Sequence, residues 1–312
     1  MPRAYVGPLV EGSIRAEPAD FCVDELPSIV PTGDGEHLWL RIEKIGVNTH
    51  RVAADLAREF AVDLVDVSYA GMKDRHAIAR QWFSVRTPRD LGAGSADWRV
   101  IEARRHARKL RRGELAGNAF RIRIRDVDGD RAGLAARVAT LVAGGAPNYF
   151  GEQRFGRNNV ERARAWVCRR PRPPVSALAK GLHLSTARAL LFNAVLARRV
   201  LESTWDRAIE GDVEADGAPT GPLWGRGRPA TTGCARQFEA AALAPYHEWL
   251  DPLEHLGLAQ ERRTLVARPR NMTVAVDGSD VELAFELAPG QYATTVLREV
   301  GDLRVVRAEA PA

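Results

Sequence analysis

One glycine-entered loop holds the side chains of this sequence that are best suited to chemistry. Within the run GMKDRHA (71–77), a single carboxylate, Asp74, stands between the cations Lys73 and Arg75. The loop follows an apolar run at residues 65–69, which predicts a strand. A carboxylate at such a junction can act as a nucleophile, because the strand aims it and the loop exposes it. The flanking cations would favour its ionised form if their charges point inward.

The same spacing also has a purely structural interpretation. Asp is a favoured N-cap residue, so Asp74 could instead cap a short helix that begins at Arg75. On spacing alone, the cap is the more common arrangement, because such caps are frequent at helix starts. The pattern by itself therefore leaves both roles of this carboxylate open.

The usual motifs of metal, nucleotide and hydrolase sites do not occur in the sequence. The histidines show no H-E-x-x-H spacing, and there is no phosphate loop or strand-linked G-x-G-x-x-G. A G-x-S-x-G elbow is absent as well. Cys22, Cys168 and Cys234 are far apart, which argues against a zinc site or a disulfide framework and is consistent with a reducing compartment. We therefore expect a reaction without metal or cofactor, built on one carboxylate.

The basic side chains of this 312-residue chain are unevenly distributed. The net charge is +5, yet one run without an acid contains six cations: Arg104, Arg105, Arg108, Lys109, Arg111 and Arg112. Such a patch suits a phosphate backbone, with affinity supplied by counterion release. A solvated, arginine-rich face is the alternative interpretation.

Periodicity predicts a mixed α+β chain whose first part is rich in strands. A helix is predicted over residues 49–60, capped by Thr49, with apolar residues at four-residue steps. Residues 81–86, directly after the Asp74 loop, are expected to form a strand.

A second strand is predicted over residues 120–125, where apolar and arginine residues alternate. If this strand extends back, Asn118 points to the same side as Phe120. An amide and an aromatic ring on one face can bind and stack on a base. They could as easily be a turn residue and a core ring.

The middle of the chain, from residue 145 to about residue 268, is helical and rich in loops. We expect Ser185 to cap a long helix there. Residues 246–257 are expected to be helical apart from a break near Pro252. The length of the whole chain allows two cores.

Strands return after this helical block. Residues 272–276 and 281–287 predict a hairpin around an Asp277-Gly278 turn. Because a lone hairpin is marginal in water, we expect it to rejoin the sheet that contains residues 120–125. The helix over residues 293–300 would then pack on the same domain, so one domain is interrupted by another.

Five blocks along the chain resemble one family. They are PADFCVDE (18–25), GMKDRHA with the following QWFSV, GNAF (117–120), NYFGEQRFGR (148–157) and QYATTVLREV (291–300). In content and order they resemble the TruD family of tRNA pseudouridine synthases, whose catalytic aspartate lies in a G-x-K-D-x-x-A loop.

The resemblance implies a fold and a set of site residues. The implied fold is α+β, a mixed-sheet pseudouridine synthase catalytic domain (1–144 plus 269–312) interrupted by a helix-rich insertion, the TRUD domain (145–268), which is shorter than usual. Asp74 matches the catalytic aspartate. The other matching positions are those where the family contacts its substrate, Phe21, Asn118 and Tyr292 (often Phe in the family), and the aromatic of GNAF, Phe120.

The implied activity is the isomerisation of uridine to pseudouridine in tRNA, at position 13 of the D-arm. It needs no metal and no cofactor, and the aspartate acts as nucleophile or base. The resemblance implies tRNA as the partner, and we expect a monomer without a membrane or metal partner. We expect a cytoplasmic location, since the sequence shows neither a signal peptide nor a run of about 18 apolar residues. Two alternatives stay open: an RNA-binding or tRNA-folding protein without catalysis, and a synthase for a different RNA uridine.

Overall fold

The structure, a computed structural model, describes residues 1–89, 95–156 and 158–306. Arg157, the last residue of the fourth block, and residues 307–312 of the predicted catalytic domain lie outside the described part. The chain forms two compact units, which we call the sheet unit and the helical unit. The sheet unit comprises Leu9–Val142, Pro269–Gly290 and the described residues from Val300 onwards, and the helical unit comprises Met1–Pro8, Ala143–Arg268 and Gln291–Glu299.

In the middle of the chain the units divide between Val142 and Ala143 and between Arg268 and Pro269, where the predicted domains divide at 144–145 and 268–269. They differ at the chain ends, because Met1–Pro8 and Gln291–Glu299 group with the helical unit. Most of the helix that we expected to pack on the catalytic domain therefore belongs to the helical unit. The division of labour between a catalytic domain and an insertion stays a prediction.

The strands of the described chain are short apart from one long central strand. In chain order they are β1 (Val10–Ile14), β2 (Phe21–Pro27), β3 (His37–Lys44), β4 (Val67–Tyr69), β5 (Ile78–Arg86), β6 (Trp98–His106), β7 (Leu115–Gly129), β8 (Ala146–Pro147), β9 (Glu214–Ala215), β10 (Ala218–Leu223), β11 (Glu261–Thr264), β12 (Val266–Ala267), β13 (Arg270–Asp277), β14 (Asp280–Leu287) and β15 (Gly301–Val305).

The helices follow the same order. They are α1 (Thr49–Phe60), α2 (Leu134–Gly144), α3 (Glu152–Phe155), α4 (Asn159–Val167), α5 (Ala177–Leu201), α6 (Gly233–Leu243), α7 (His247–Glu254) and α8 (Ala293–Val300).

The sheet unit is built on one large mixed sheet with the order β13-β14-β7-β2-β5-β3-β6. Strand β1 pairs with β7 and with β15, and β4 pairs with β5. The β2–β5 and β1–β15 pairs are parallel, whereas β14–β7, β2–β7 and β3–β5 are antiparallel. The expected mixed sheet is present, and the strands over residues 81–86 and 120–125 lie within β5 and β7.

Helix α1 covers one face of this sheet. Its apolar stripe, including Leu56 and Phe60, packs with Leu40 and Phe83 from the adjacent strands. The helix spans the predicted residues, but the N-cap position is Asn48 and not Thr49. Thr49 is the first helical residue, and its hydroxyl has a different use, described below.

The β13–β14 hairpin rejoins the sheet, as predicted. Strand β14 pairs with β7 from Val281 to Leu287, so that Phe285 stands opposite Phe120. The turn uses Gly278 with a φ of 60°, a left-handed value that glycine adopts without a Cβ penalty. The last strands are therefore part of the sheet that carries the GNAF block.

Gly117, the first residue of that block, allows β7 and β14 to approach each other. A Cβ at this position would lie 2.5 Å from the carbonyl oxygen of Leu287. We expect Gly117→Ala to lower the free energy of unfolding by about 1–3 kcal/mol, since two backbones would have to separate. Urea unfolding measures this loss.

The same substitution at Gly181 is the control for this prediction. Gly181 lies inside α5 with open space around its Cα, so Gly181→Ala should stabilise by about 0.5–1 kcal/mol. Equal effects of the two variants would contradict the close approach at Gly117.

The helical unit is organised around α5. This helix begins after Ser176, whose side chain accepts a hydrogen bond from the Ala179 N–H at 3.2 Å. The predicted cap at Ser185 is therefore wrong, because that residue lies inside the helix and its Oγ donates to the Leu182 carbonyl. The predicted break near Pro252 is also wrong, since α7 continues through Pro252 to Glu254. Pro252 lies inside this helix, where it removes one i→i−4 hydrogen bond without ending the helix.

Candidate active site

Asp74 lies in the segment that joins β4 to β5. Residues 74–77 are irregular and β5 begins at Ile78, so the structural alternative, an N-cap of a helix beginning at Arg75, is wrong. The Asp74 Oδ1 instead accepts a hydrogen bond from the His76 N–H at 3.1 Å. This local bond is typical of an Asx turn and orients the carboxylate within the loop.

Arg15 is the cation that meets this carboxylate. Its Nη2 lies 2.6 Å from the Asp74 Oδ2, and the two side chains are only 9% and 18% exposed. Charge-assisted hydrogen bonds of this kind are about twice as strong as neutral ones. Arg15 directly follows β1 and has a φ of 64°, a left-handed conformation that is uncommon for a residue with a Cβ. The fold therefore holds this arginine in a special geometry at the candidate nucleophile.

The two cations next to Asp74 in the sequence face elsewhere. The Lys73 Nζ lies 2.5 Å from the Glu25 Oε2, and both of these side chains are buried. The Arg75 Nε donates to the carbonyl oxygen of Gly46 at 2.8 Å. The condition that these two cations point inward at Asp74 is therefore not met, and Arg15 is the side chain that contacts the carboxylate.

A series of ring contacts connects Arg15 to the aromatic side chains of the sheet. The Arg15 Cζ lies 4.2 Å from the centroid of the Phe21 ring, within the range of a cation–π contact. The Phe21 and Phe120 centroids are 6.2 Å apart, and Phe120 stacks on Phe285 at 5.5 Å. Phe21 is buried, whereas Phe120 is half-buried. The structure thus links Asp74, Phe21 and Phe120, three of the predicted site residues, through Arg15.

Asn118 lies on the same face of β7 as Phe120, as predicted, with Glu25 and Leu287 as its neighbours across the sheet. Its Oδ1 is buried and has no hydrogen-bond donor within the described part of the chain. A buried acceptor without a donor costs free energy, so such atoms call for an explanation. A ligand that brings an N–H group would satisfy it.

Three buried polar side chains hold the main chain of the Asp74 loop. The Thr49 Oγ1 accepts from the Lys73 N–H at 3.0 Å and donates to the Gln81 Oε1 at 2.9 Å. The Gln81 Nε2 donates to the Gly71 carbonyl at 3.1 Å. Lys44, at the end of β3, donates to the Asp74 carbonyl at 2.8 Å. This network explains why Thr49 is not used as a helix cap.

Tyr292 belongs to the helical unit and is surrounded there by residues of the NYFGEQRFGR block. Its hydroxyl accepts from the Arg154 Nη2 at 3.1 Å, and its ring centroid is 6.1 Å from that of Phe150. Arg263 lies over Phe150 at 4.3 Å, and burial lowers the pKa of its guanidinium to about 10. The place of Tyr292 in the substrate site stays a prediction.

Sequence reasoning missed Arg15, Lys44 and Gln81. Arg15 is 59 positions from Asp74, and a lone arginine after a five-residue strand has no distinguishing pattern. A weak signal was available, because Arg15 stands three residues before the PADFCVDE block. A weak signal was available for Lys44 as well, because it ends the run LWLRIEK. In the alternation of this strand, Lys44 falls on the same side as the apolar Leu40 and Ile42.

Most side chains of the predicted basic patch form ion pairs or hydrogen bonds within the sheet unit. Arg104 pairs with Glu102, and Arg108 makes a two-pronged contact with Glu114. The Arg105 guanidinium and the Lys109 ammonium donate to main-chain carbonyls. In the described chain only Arg111 and Arg112 of this run are exposed without a side-chain partner, so the patch offers fewer free charges than its sequence suggests.

The described residues contain neither a cluster of metal ligands nor a helix that could span a membrane. Within those ranges no three His, Cys, Asp or Glu side chains are grouped as a metal ion would require. None of the described helices is both long and apolar enough to cross a membrane.

Comparison with known proteins decides the family. A family model for tRNA pseudouridine synthase D (TruD) matches residues 4–163 and 214–300. The chain belongs to the TruD family. The five blocks that suggested this family all lie within the matched residues, and residues 164–213 of the helical unit lie outside them. The recognition from the sequence is thereby confirmed, together with the enzyme class, tRNA pseudouridine synthase.

Relatives in the TruD family match the chain over nearly its whole length. The tRNA pseudouridine synthase D of Methylococcus capsulatus is 44% identical, over 96% of this chain and 94% of its own. That of Cellvibrio japonicus is 41% identical, over 97% and 93%. A crystal structure of a putative TruD from Methanosarcina mazei matches with a TM-score of 0.73, 20% identity and 96% coverage of both chains. This last likeness confirms the α+β fold class with its large mixed sheet.

Proposed function

We propose that the protein converts uridine to pseudouridine in tRNA at position 13 of the D-arm, without a cofactor, and that Asp74 is its nucleophile or base. The observation that carries this proposal is the short, largely buried contact between Asp74 and Arg15 within the irregular segment that joins β4 to β5. A carboxylate that a buried cation orients in an irregular segment, rather than at a helix cap, is placed as a nucleophile or base would be.

The reaction is an isomerisation, so its atoms balance without a co-reactant. The N-glycosidic bond of uridine breaks, the uracil turns within the pocket, and a carbon–carbon glycosidic bond forms. The ring carbon that bonds to the sugar loses its proton, and the ring nitrogen released from the sugar gains one. The Asp74 carboxylate can attack the sugar or the base, or remove a proton from the sugar 2′ carbon. In either case Arg15 keeps the carboxylate oriented between turnovers.

The neighbouring residues fit the binding of an extruded base. A target base must leave its stack and find an aromatic surface and polar partners for its edge. Phe120 is the half-buried ring on the side of Asn118, and Phe21 supports it from within the sheet. The unsatisfied Asn118 Oδ1 can accept the N3–H of uracil. Tyr292 would add a second aromatic surface, as the family resemblance implies.

Incubation of the purified protein with unmodified tRNA transcripts tests this proposal. Pseudouridine is mapped by position with a carbodiimide and primer-extension assay, and we expect one modified site, uridine 13. Modification at another uridine would replace the proposed target. Binding without any pseudouridine would favour the non-catalytic RNA-binding alternative. Two further expectations have their own tests. Light scattering on the same preparation measures the molar mass and so tests whether the protein is a monomer. Fractionation of cells tests the cytoplasmic location.

Arg111 and Arg112 are the residues of the basic run that we expect to contact phosphates. The Arg111→Ser/Arg112→Ser double variant should weaken tRNA binding and reduce the slope of log K against log salt by about 1–2, since each lost phosphate contact removes about 0.7–0.9. Arg104→Ser is the matched control, because its guanidinium is already paired with Glu102. An unchanged salt slope in the double variant would show that these residues face away from RNA.

A further inference from the structure

Lys44 is a fully buried lysine beside the candidate nucleophile. Its side chain enters the protein from the end of β3 and is 0% exposed. The Nζ donates to the carbonyl oxygen of Val47 at 2.9 Å and to that of Asp74 at 2.8 Å. The Lys73 carbonyl lies at 3.5 Å. Two of the three carbonyls around this ammonium therefore belong to the loop that carries the catalytic carboxylate.

This arrangement is costly, so it requires a reason. A buried ammonium loses its hydration, and lysine is almost never fully buried unless it is paired. The described ion pairs of the sheet unit give Lys44 no carboxylate at hydrogen-bond distance, and its charge is compensated by carbonyl dipoles. Burial lowers the pKa of Lys44 to about 8, with the Asp74 carboxylate opposing and the Lys73 ammonium adding to that change. An apolar side chain would fill the same space without this penalty.

We propose that Lys44 is a positioning residue for Asp74: its ammonium group fixes the main chain at Lys73 and Asp74, and this holds the carboxylate in contact with Arg15. The proposal rests on the proposed function, since it takes Asp74 as the reacting group. It adds a residue that touches neither substrate nor carboxylate.

The other anchors of the loop act at different points. Thr49 and Gln81 hold the Lys73 N–H and the Gly71 carbonyl, on the side where the chain enters the loop. Lys44 holds the carbonyl of Asp74 itself. Asp74 is thus held at two points, since Arg15 contacts its carboxylate and Lys44 donates to its main-chain carbonyl. Reacting atoms must stay within about 3–3.5 Å, and a shift of about 1 Å can cost about 100-fold in rate.

Lys44→Met tests the proposal, because it keeps the length of the side chain and removes its donors. Under saturating enzyme, we expect the single-turnover rate with tRNA to fall about 10- to 100-fold and the binding of tRNA to stay within about threefold. Lys180→Met is the matched control: this lysine is exposed on α5, and the rate should be unchanged. A wild-type rate in Lys44→Met would overturn the proposal, as would a loss confined to tRNA binding.

Hydrogen exchange provides a readout that does not depend on activity. In Lys44→Met the amides of residues 73–76 should exchange faster, while those of the central strand β7 stay protected. If Lys44→Met does not fold, Lys44→Gln, whose shorter side chain ends in an uncharged amide, is measured in its place with the same expectation. Unchanged exchange at residues 73–76 in the folded variant would overturn the proposal. If the wild-type protein makes no pseudouridine, the proposed function fails, whereas the exchange result still decides the role of Lys44.

The pH dependence separates positioning from plain stabilisation. The charged groups that face Lys44 are Asp74 and Lys73, which are themselves paired with Arg15 and Glu25. Above pH 8 a neutral amine has only two hydrogens for its three carbonyls, so the wild-type rate should decline, and Lys44→Met should lack this decline.

The free energy of unfolding should change with pH in the opposite direction from the rate. The folded state binds fewer protons than the unfolded chain between pH 8 and 10.5, so the contribution of Lys44 to stability rises there. A rate that followed stability across this range, rising with it, would contradict the positioning role.

Discussion

Asp74→Asn is expected to abolish pseudouridine formation while folding and tRNA binding largely persist. The amide has the size of the carboxylate, and its oxygen can still accept from the His76 N–H. It has no charge with which to attack carbon or to remove a proton, so we expect a loss of about 10⁴-fold or more in the single-turnover rate. Position-specific detection of pseudouridine in a tRNA transcript measures this loss.

The control for this variant is Asp66→Asn, an equal change in the short 3₁₀ helix that precedes β4. Its rate should equal that of the wild-type protein. An Asx turn tolerates asparagine as well as aspartate, so a catalytic role and a purely structural role of Asp74 predict opposite results. Near-normal turnover by Asp74→Asn would remove Asp74 from the mechanism, even if the protein proves to be an active synthase.

Arg15→Met should lower the single-turnover rate by about 10²- to 10³-fold, the second largest effect that we expect. The variant leaves the Asp74 carboxylate partly buried without its cation, so the loop will reorient it towards water. Removal of one preorganised charged partner at a reacting group typically costs this much. Binding of tRNA should change little, since Arg15 is 9% exposed and cannot offer its charge to a phosphate.

Arg15→Lys distinguishes charge from geometry at this position. A lysine restores the positive charge but not the planar guanidinium that lies over Phe21, so we expect partial recovery. Arg86→Met is the control, because its ion pair with Glu36 is more than half exposed and such pairs contribute little. If Arg15→Met retained the wild-type rate, the ion pair would be a structural contact only.

The parts of the fold that the sequence predicted depend on local pattern. The helix over residues 49–60 and the alternation over residues 120–125 follow from spacing, because a half-buried element must repeat its apolar residues with its own period. The hairpin before residue 287 was predictable in the same way. Its return to β7 followed from a simple argument, that a hairpin alone cannot bury enough surface.

The errors have a common physical cause, which is competition between local and distant hydrogen bonds. Thr49 is a good cap by type, yet its hydroxyl is taken by Gln81 and the Lys73 N–H. Ser176 caps α5, whereas Ser185 lies inside that helix and donates to the Leu182 carbonyl. Neighbouring residues reveal only which bonds a side chain could make; the fold decides which one it makes.

The candidate site was predictable in its residue types but not in its connections. Asp74, Phe21, Asn118 and Phe120 could be selected because family blocks carry them. Arg15 could not, since its role depends on the three-dimensional meeting of the end of β1 with the β4–β5 loop. Ion pairs between distant segments leave no periodic pattern in the sequence. The hydrogen bond from Lys44 to the distant Asp74 carbonyl leaves none either.

The parallel pairing of β1 with β15 has a consequence for synthesis of the protein on the ribosome. Strand β1 is among the first segments to emerge and finds an antiparallel partner once residue 129 of β7 is made. Its other edge must wait for Gly301–Val305. At about 5–20 residues per second, the interval from Ile14 to Gly301 takes about 15–60 s. Throughout that time β1 has an open edge, of the kind that recruits foreign strands, and only a chain that has reached β15 covers it.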